Sequence, residues 1–256
     1  MYRVDLNCDL GESFGAYVMG MDDKVIPHIT SANVACGYHA SDPVVMEKTV
    51  ALCKTHSVAV GAHPGFPDLM GFGRREMRLS PGEAKACMLY QMGALEAFCR
   101  AAGVKLAHVK PHGALYNMAA RDGTLARAVC QAIRDYDRSL VLLALAGSEM
   151  VRAAQEMGLS VAQEVFADRG YEEDGSLVSR QKPGAMITDE EEAIARVVRM
   201  VTEGKVRAVT GRDISVRADS VCIHGDGENA LSFAQRIREA LTSSGVRLMP
   251  LQELEE

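Results

Sequence analysis

Lys105-Leu106-Ala107-His108-Val109-Lys110-Pro111-His112-Gly113-Ala114-Leu115-Tyr116 sets a short apolar run directly before a proline, with a lysine and two histidines crowded at the junction. Proline has no N–H to donate to a sheet, so a strand over 105–109 ends there and Lys110 and His112 fall at its carboxyl end. In α/β folds that is the end at which ligands bind.

Working outward, the same ending recurs. Upstream, Val58-Ala59-Val60-Gly61-Ala62 reads as a strand stopped by His63-Pro64, and Ala32 to Gly37 as another, followed by His39 and by Asp42-Pro43 as the N-cap and first residue of a helix to about Lys54. Val4 to Asp9 alternates apolar with polar, placing Asp9 and then Glu12 at a strand end. The long stretch Gly65 to Leu79, with Arg74 and Arg75, suggests a functional lid, and Ser80-Pro81-Gly82-Glu83 opens a helix that runs to Gly103. Downstream come a helix over 122–135, an all-apolar strand over 140–146, a helix over 148–157, a strand over 160–166 ending at Asp168, a helix from about 189 to 202, a strand over 220–223 ending at His224, a helix over 228–242, and a final segment over 246–251.

Seven or eight strand–helix alternations without a linker or composition break predict an α/β fold in which residues 1–256 form a single irregular (β/α) barrel of about seven strands. An open doubly wound sheet is the competing architecture.

Composition narrows the class of function. With 28 Lys+Arg against 34 Asp+Glu and no block of like charge, the chain carries a formal charge of −6 and offers no nucleic-acid or anionic-membrane surface, so a small-molecule substrate is expected. The longest apolar run, 140–147, is too short to span a bilayer, and the first residues do not read as a signal peptide. Seven cysteines, odd in number and never spaced C-x-x-C, read as small core residues in a reducing, cytoplasmic compartment.

Asp9, His39, His63, Lys110, His112, Asp168 and His224 all close predicted strands, and a barrel would bring them to one face. One such histidine alone is more often structural; several endings sharing the habit point to a site. His28 and His56 lie in helical contexts and are read as structural, while for His108 both readings stay open. Two chemistries fit. Asp9, His39 and His63 could ligate a divalent metal with an open position, although no helical HExxH pair supports it. Alternatively Lys110 and the imidazoles polarise a carbonyl while Asp9 or His112 moves a proton, and a protonated Lys110 would repel a bare cation. Gly225-Asp226-Gly227-Glu228-Asn229-Ala230 matches a dinucleotide-loop pattern, but its acids would face the pyrophosphate, and no phosphate-binding G-x-x-x-x-G-K-[ST] occurs. Arg74 with Arg75 is the better anion-binding candidate.

The words DLNCDLGESFG at 5–15, SANVACGYHASDP at 31–43, GAHPGFPD and GFGRR within 61–75, HVKPHGALYN at 108–117, FADRGY at 166–171 and IHGD at 223–226 together resemble the LamB/YcsF family, in order and over nearly the whole chain. Ser41 stands where that pattern has glycine. The resemblance implies a barrel similar to polysaccharide deacetylases and the role of the A component of a prokaryotic 5-oxoprolinase: hydrolytic opening of 5-oxo-L-proline to L-glutamate, with ATP as co-substrate and a divalent metal either accompanying ATP or bound at the site. It also implies partner subunits B and C, and is compatible with a homo-oligomer. Within that reading Asp9, Lys110 and His112 are assigned to catalysis, and Glu12, His39, His63, Arg74, Asp168 and His224 to substrate binding. A free-standing metal-dependent amide or acetyl hydrolase and a non-catalytic substrate-binding subunit remain the alternatives.

Overall fold

The computed structural model describes residues 2–223 and 230–254. Strand β1 (Tyr2–Leu10) leads through a short helix α1 (Asp22–Val25) to β2 (Ser31–Ala35), α2 (Pro43–His56), β3 (Ala59–His63), α3 (Pro81–Ala102) and β4 (Leu106–Val109). Two helices follow, α4 (Gly113–Ala119) and α5 (Gly123–Tyr136), then β5 (Val141–Leu145), α6 (Glu149–Glu156), β6 (Val161–Phe166) and α7 (Glu190–Glu203). The chain ends with β7 (Lys205–Arg207), β8 (Asp213–Ser215), β9 (Ser220–Ile223), α8 (Ala230–Ser243), β10 (Val246–Leu248) and α9 (Leu251–Leu254).

The helix boundaries follow from their caps. The Asp42 carboxylate accepts from the N–H groups of Val44 and Val45, and Pro43 supplies a preset first turn for α2. Ser80 and Glu83 form a reciprocal capping box on α3, which ends at Gly103 with φ 67°, a left-handed conformation that favours glycine.

Strands β1 to β6 pair in sequence order, all parallel, and β9 lies between β6 and β1, so seven strands close on themselves. Closure rules out the open doubly wound sheet. The first residues of β1 pair instead with β10, and the rest of β1 with β9, which splits one strand between two neighbours. The sequence patterns do not announce α1, α4 or the β7–β8 hairpin, which is antiparallel and outside the barrel, and the final segment is a three-residue strand followed by α9. Leu251 of α9 packs on Val141, Leu143 and Ala162.

The barrel's two faces differ in chemistry. Val4, Leu6, Cys8 and Leu10 of β1 join the main apolar cluster with α2 and α3 side chains such as Val50, Met88 and Leu95, each large side chain contributing roughly 1.5–3 kcal/mol by leaving water. The alternate residues Asp5, Asn7 and Asp9 turn inward and meet a polar column. Asp5 accepts hydrogen bonds from the hydroxyls of Thr30 and Ser31, each at 2.6 Å, and of Ser220. Asn7 donates to Ser220 Oγ at 2.7 Å, Asn33 donates to Asn7 Oδ1 at 2.7 Å, and His108 Nε2 donates to Asn33 Oδ1 at 2.7 Å. The His108 ring lies over Gly61, where a Cβ would overlap it, so β3 must carry glycine at that point. His108 is thereby part of the barrel interior. All seven cysteines are free, and all but the half-buried Cys87 are buried.

Burial pushes the Asp5 carboxyl up to about 6, against its three hydroxyl donors. A carboxyl whose folded pKa is raised above its unfolded value of 3.8 stabilises the fold less as it ionises. Its penalty is absent below about pH 4, grows through the interval and is complete above about pH 6, worth about 3 kcal/mol. Chemical denaturation of wild type and Asp5→Asn across this range should therefore show the wild type gaining about 3 kcal/mol relative to the variant on acidification; parallel pH profiles would contradict the raised pKa.

Candidate active site

Lys110 follows the last residue of β4 and is 2% exposed. Its N–H donates to Ala62 O at 2.9 Å, holding the backbone beside β3 while the side chain enters the barrel. There Nζ donates to Asp9 Oδ1 at 2.9 Å and lies 2.8 Å from Glu164 Oε1. Burial works against the ammonium, but the two carboxyl groups outweigh it and hold its pKa well above the ordinary lysine value. Tyr116 of α4 donates to Glu164 Oε2 at 2.6 Å; burial and Glu164 raise the phenol's pKa far enough to keep it a donor. Asp9 Oδ1 also accepts from Asn33 at 2.9 Å. Asp9 is thus fixed at the mouth of the barrel by a lysine and an amide from two other strands.

Three imidazoles stand beside it. His63 ends β3 and donates through Nδ1 to Lys110 O at 2.8 Å, while its Nε2 lies 3.3 Å from Asp9 Oδ2. His112, the residue before α4, donates through Nε2 to Phe72 O at 2.8 Å, and its Nδ1 lies 2.9 Å from His63 Nε2. His39 is fully buried and stacks on His112 with ring centroids 3.6 Å apart and planes within 2°. Its Nε2 is 3.6 Å from Glu12 Oε1, which is also 3.8 Å from His112 Nδ1. Burial, reinforced by His63, pushes His112 down to about 3, so it is a neutral imidazole at neutral pH. Burial and the neighbouring rings likewise lower His39.

The stretch from 64 to 80 holds this cluster from above. Asp68 pairs with Arg75 and accepts from Gly71 N at 2.9 Å. Phe72 and Gly73 both have positive φ, 53° and 62°. A Cβ on Gly73 would lie 2.7 Å from His39 Cβ and 2.8 Å from His112 Cδ2. The expected lid is therefore a packed clamp, tied to α4 by the 2.9 Å bond from Ala114 N to Gly73 O.

Asp9, Glu12, His63, Lys110 and His112 line one side of a cavity of about 770 Å³ whose other walls carry Arg74, Arg121, Arg169 and Arg180. Arg74 lies over the Phe72 ring at 4.9 Å, whereas Arg75 is engaged by Asp68, so the two neighbours do not act as a pair. Arg169 is buried, donating to Ala185 O and Val178 O at 3.2 and 2.7 Å.

Of the residues singled out in the sequence, Asp9, Glu12, His39, His63, Lys110 and His112 meet in one cluster, and Arg74 faces the same cavity. Asp168 is not among the lining residues; its neighbour Arg169 is. His224 and most of the Gly225–Ala230 motif lie outside the described residues. Lys110, expected to polarise a substrate carbonyl, faces two carboxyl groups of the chain itself. Sequence reasoning missed Glu164, Tyr116 and Arg169. An acid inside the strand Val161–Phe166 was the available signal for Glu164, and Tyr116 closes the opening motif.

Comparison with known proteins bears on the family and the fold. The LamB/YcsF family profile matches residues 4–256. The chain is 60% identical over 254 residues to the 5-oxoprolinase A component of Clostridium beijerinckii, covering 99% of this chain and 100% of that one. It is 53% identical over 253 residues to the corresponding 5-oxoprolinase component of Bacillus subtilis, covering 99% and 98%. Among solved structures, the lactam utilization protein from Thermus thermophilus matches with a TM-score of 0.92 at 51% identity, over 96% of this chain and 99% of that chain. A family 4 carbohydrate esterase from Streptomyces lividans matches with a TM-score of 0.50 at 11% identity, over 96% and 91%, and shares the fold alone. No helix among the described residues is long and apolar enough to cross a membrane.

Lys110→Met removes the one ammonium between two buried or half-buried carboxyl groups. Unfolding in urea should show a loss of about 3–5 kcal/mol, and Glu164→Gln added to Lys110→Met should restore part of it by removing one stranded acid. An additive double variant would mean that Lys110 and Glu164 are not coupled.

Proposed function

The chain belongs to the LamB/YcsF family, and from that premise we propose that it serves as the A component of an ATP-dependent 5-oxoprolinase, opening 5-oxo-L-proline to L-glutamate together with partner subunits B and C. The observation that carries the reading is the Asp9 carboxyl, pinned by Lys110 and Asn33 at the floor of a cavity walled by arginines. Its relatives bear the name of that enzyme's A component, and the structurally similar Thermus protein is described as a lactam utilization protein.

The chemistry needs two things from such a site. An unstrained amide is a poor electrophile, so ATP phosphorylates the lactam oxygen, water adds at the ring carbon, and the C–N bond breaks as its nitrogen takes a proton. The resulting acyl phosphate is hydrolysed by a second water to glutamate and phosphate. Asp9 is the carboxyl placed to accept the proton of the attacking water, since it is partly open to the cavity. Lys110 acts through Asp9, keeping the carboxylate charged and oriented; its own charge is already matched, so it is a positioning residue rather than the substrate's anion partner. Arg74, Arg121 and Arg180 supply cations for the substrate carboxylate and the phosphates. The cavity is larger than the lactam alone requires, which leaves room for the phosphate end of ATP with its magnesium. ATP use, cytoplasmic residence and the identity of the partners belong to this proposal.

A second reading, an amide hydrolase that needs metal but not ATP, is favoured by one observation, the imidazole cluster beside Asp9. One assay separates the readings. The purified A, B and C components supplied with 5-oxoproline and ATP should release glutamate, and Asp9→Asn should lower kcat by about 100-fold or more, with Arg74→Ala raising KM instead. Glutamate release undiminished in Asp9→Asn, or in Lys110→Met/His112→Ala, would leave this chain as a non-catalytic binder. Turnover by this chain on its own, without ATP, would select the second reading.

A further inference from the structure

We propose that Glu12, His39, His63 and His112 form a binding site for one zinc-like first-row divalent metal ion. Metal binding at these residues is independent of which amide the cavity receives.

The hydrogen-bond directions around the imidazoles carry the inference. His63 Nδ1 and His112 Nε2 each face a backbone carbonyl, Lys110 O and Phe72 O, both at 2.8 Å. A carbonyl only accepts, so each ring must carry its hydrogen on that outer nitrogen. With both rings neutral, the inner nitrogens, His63 Nε2 and His112 Nδ1, are lone pairs that point at each other across 2.9 Å. Two acceptors at that distance repel unless something electron-deficient lies between or beside them. Histidines that ligate metals commonly donate their second ring N–H to a carbonyl, and here two do so.

His39 is the independent observation. It is fully buried, and neither of its ring nitrogens has a hydrogen-bond partner, a costly state for an imidazole held away from water. Its Nε2 faces the Glu12 carboxyl at 3.6 Å. The four ligand atoms all lie within 4.8 Å of one another. Tetrahedral zinc with bonds of roughly 2.0–2.2 Å needs its ligand atoms about 3.4 Å apart, so the spacing is close to that required, and the parallel rings of His39 and His112 must tilt for both lone pairs to converge on one ion. Three imidazoles and one carboxylate suit zinc, cobalt or iron better than magnesium or calcium, which prefer oxygen alone. Two cations stand nearby: the Lys110 ammonium is faced by Asp9 and Glu164, Arg74 lies over the Phe72 ring, and against them Asp9 Oδ2 turns towards the ligand nitrogens at 3.3 Å from His63 Nε2.

The test uses the full chain carrying His28→Gln and His56→Gln, which removes two histidines distant from the cluster that could bind metal adventitiously. After chelator treatment and dialysis, calorimetric titration with zinc chloride should show one equivalent bound, thermal unfolding should shift upward with zinc, and cobalt(II) chloride should give the visible absorption of a four-coordinate site. His39→Gln and His63→Gln should each weaken zinc binding by at least about 10–100-fold, with circular dichroism confirming that the variants fold; Glu12→Gln, at the cavity edge, should weaken it while leaving packing intact. Absence of the bound equivalent would overturn the site, in favour of a proton shared between His63 and His112. Retention of zinc by both histidine variants, or magnesium binding as tightly as zinc, would overturn it too.

Discussion

One ammonium enclosed by a ring of seven parallel strands sets the terms for its surroundings. Lys110 has almost no contact with solvent, so its charge persists only because Asp9 of β1 and Glu164 of β6, the two strands that flank β9, both meet it. Those carboxyls must in turn be held, Asp9 by Asn33 and Glu164 by Tyr116. The chain of obligations continues downward through Asn7, Ser220 and Asp5. The barrel interior therefore carries a hydrogen-bonded polar column beside a small apolar group of Val141, Leu143 and Ala162, while the main apolar core lies outside, between strands and helices. Catalytic placement and structural integrity rest on the same side chains, which is why a change at Lys110 affects both.

Much of this was legible in the residues. Strand endings at Pro64 and Pro111, the Asp42 and Ser80 caps and the alternation of Val4-Asp5-Leu6-Asn7-Cys8-Asp9 located most of the elements and nearly all of the cluster. Other features depended on pairings that no local pattern contains. Asn33 meets His108 across 75 residues and Lys110 meets Asp9 across 101, so neither the structural role of His108 nor the engagement of Lys110 could be read from spacing. Arg169 lines the cavity beside the strand end at Asp168, and nothing in the local sequence marks it as a lining residue. The β7–β8 hairpin escaped because three-residue strands leave too short a trace for periodicity.

The glycines show how closely the site is packed. Gly61 admits the His108 ring, and Gly73 admits both His39 and His112. At Gly113 a Cβ would lie 2.6 Å from Gly73 O, so the clamp and α4 approach backbone to backbone. Such contacts restrict the imidazoles to one arrangement, the pre-organisation that either a bound cation or a reacting amide requires.

The division of β1 between β9 and β10 bears on how the molecule comes into being. Asp5 meets Ser220 across 215 residues, so β1 gains its neighbour β9 only after the five intervening barrel strands have been made. Until then one edge of the growing sheet stays open and the buried polar column lacks the side that β9 supplies. Long-range closure of this kind is slow and exposes strand edges to other chains. Barrel completion thus waits on β9, and one edge of the sheet stays open until the two ends of the ring have met.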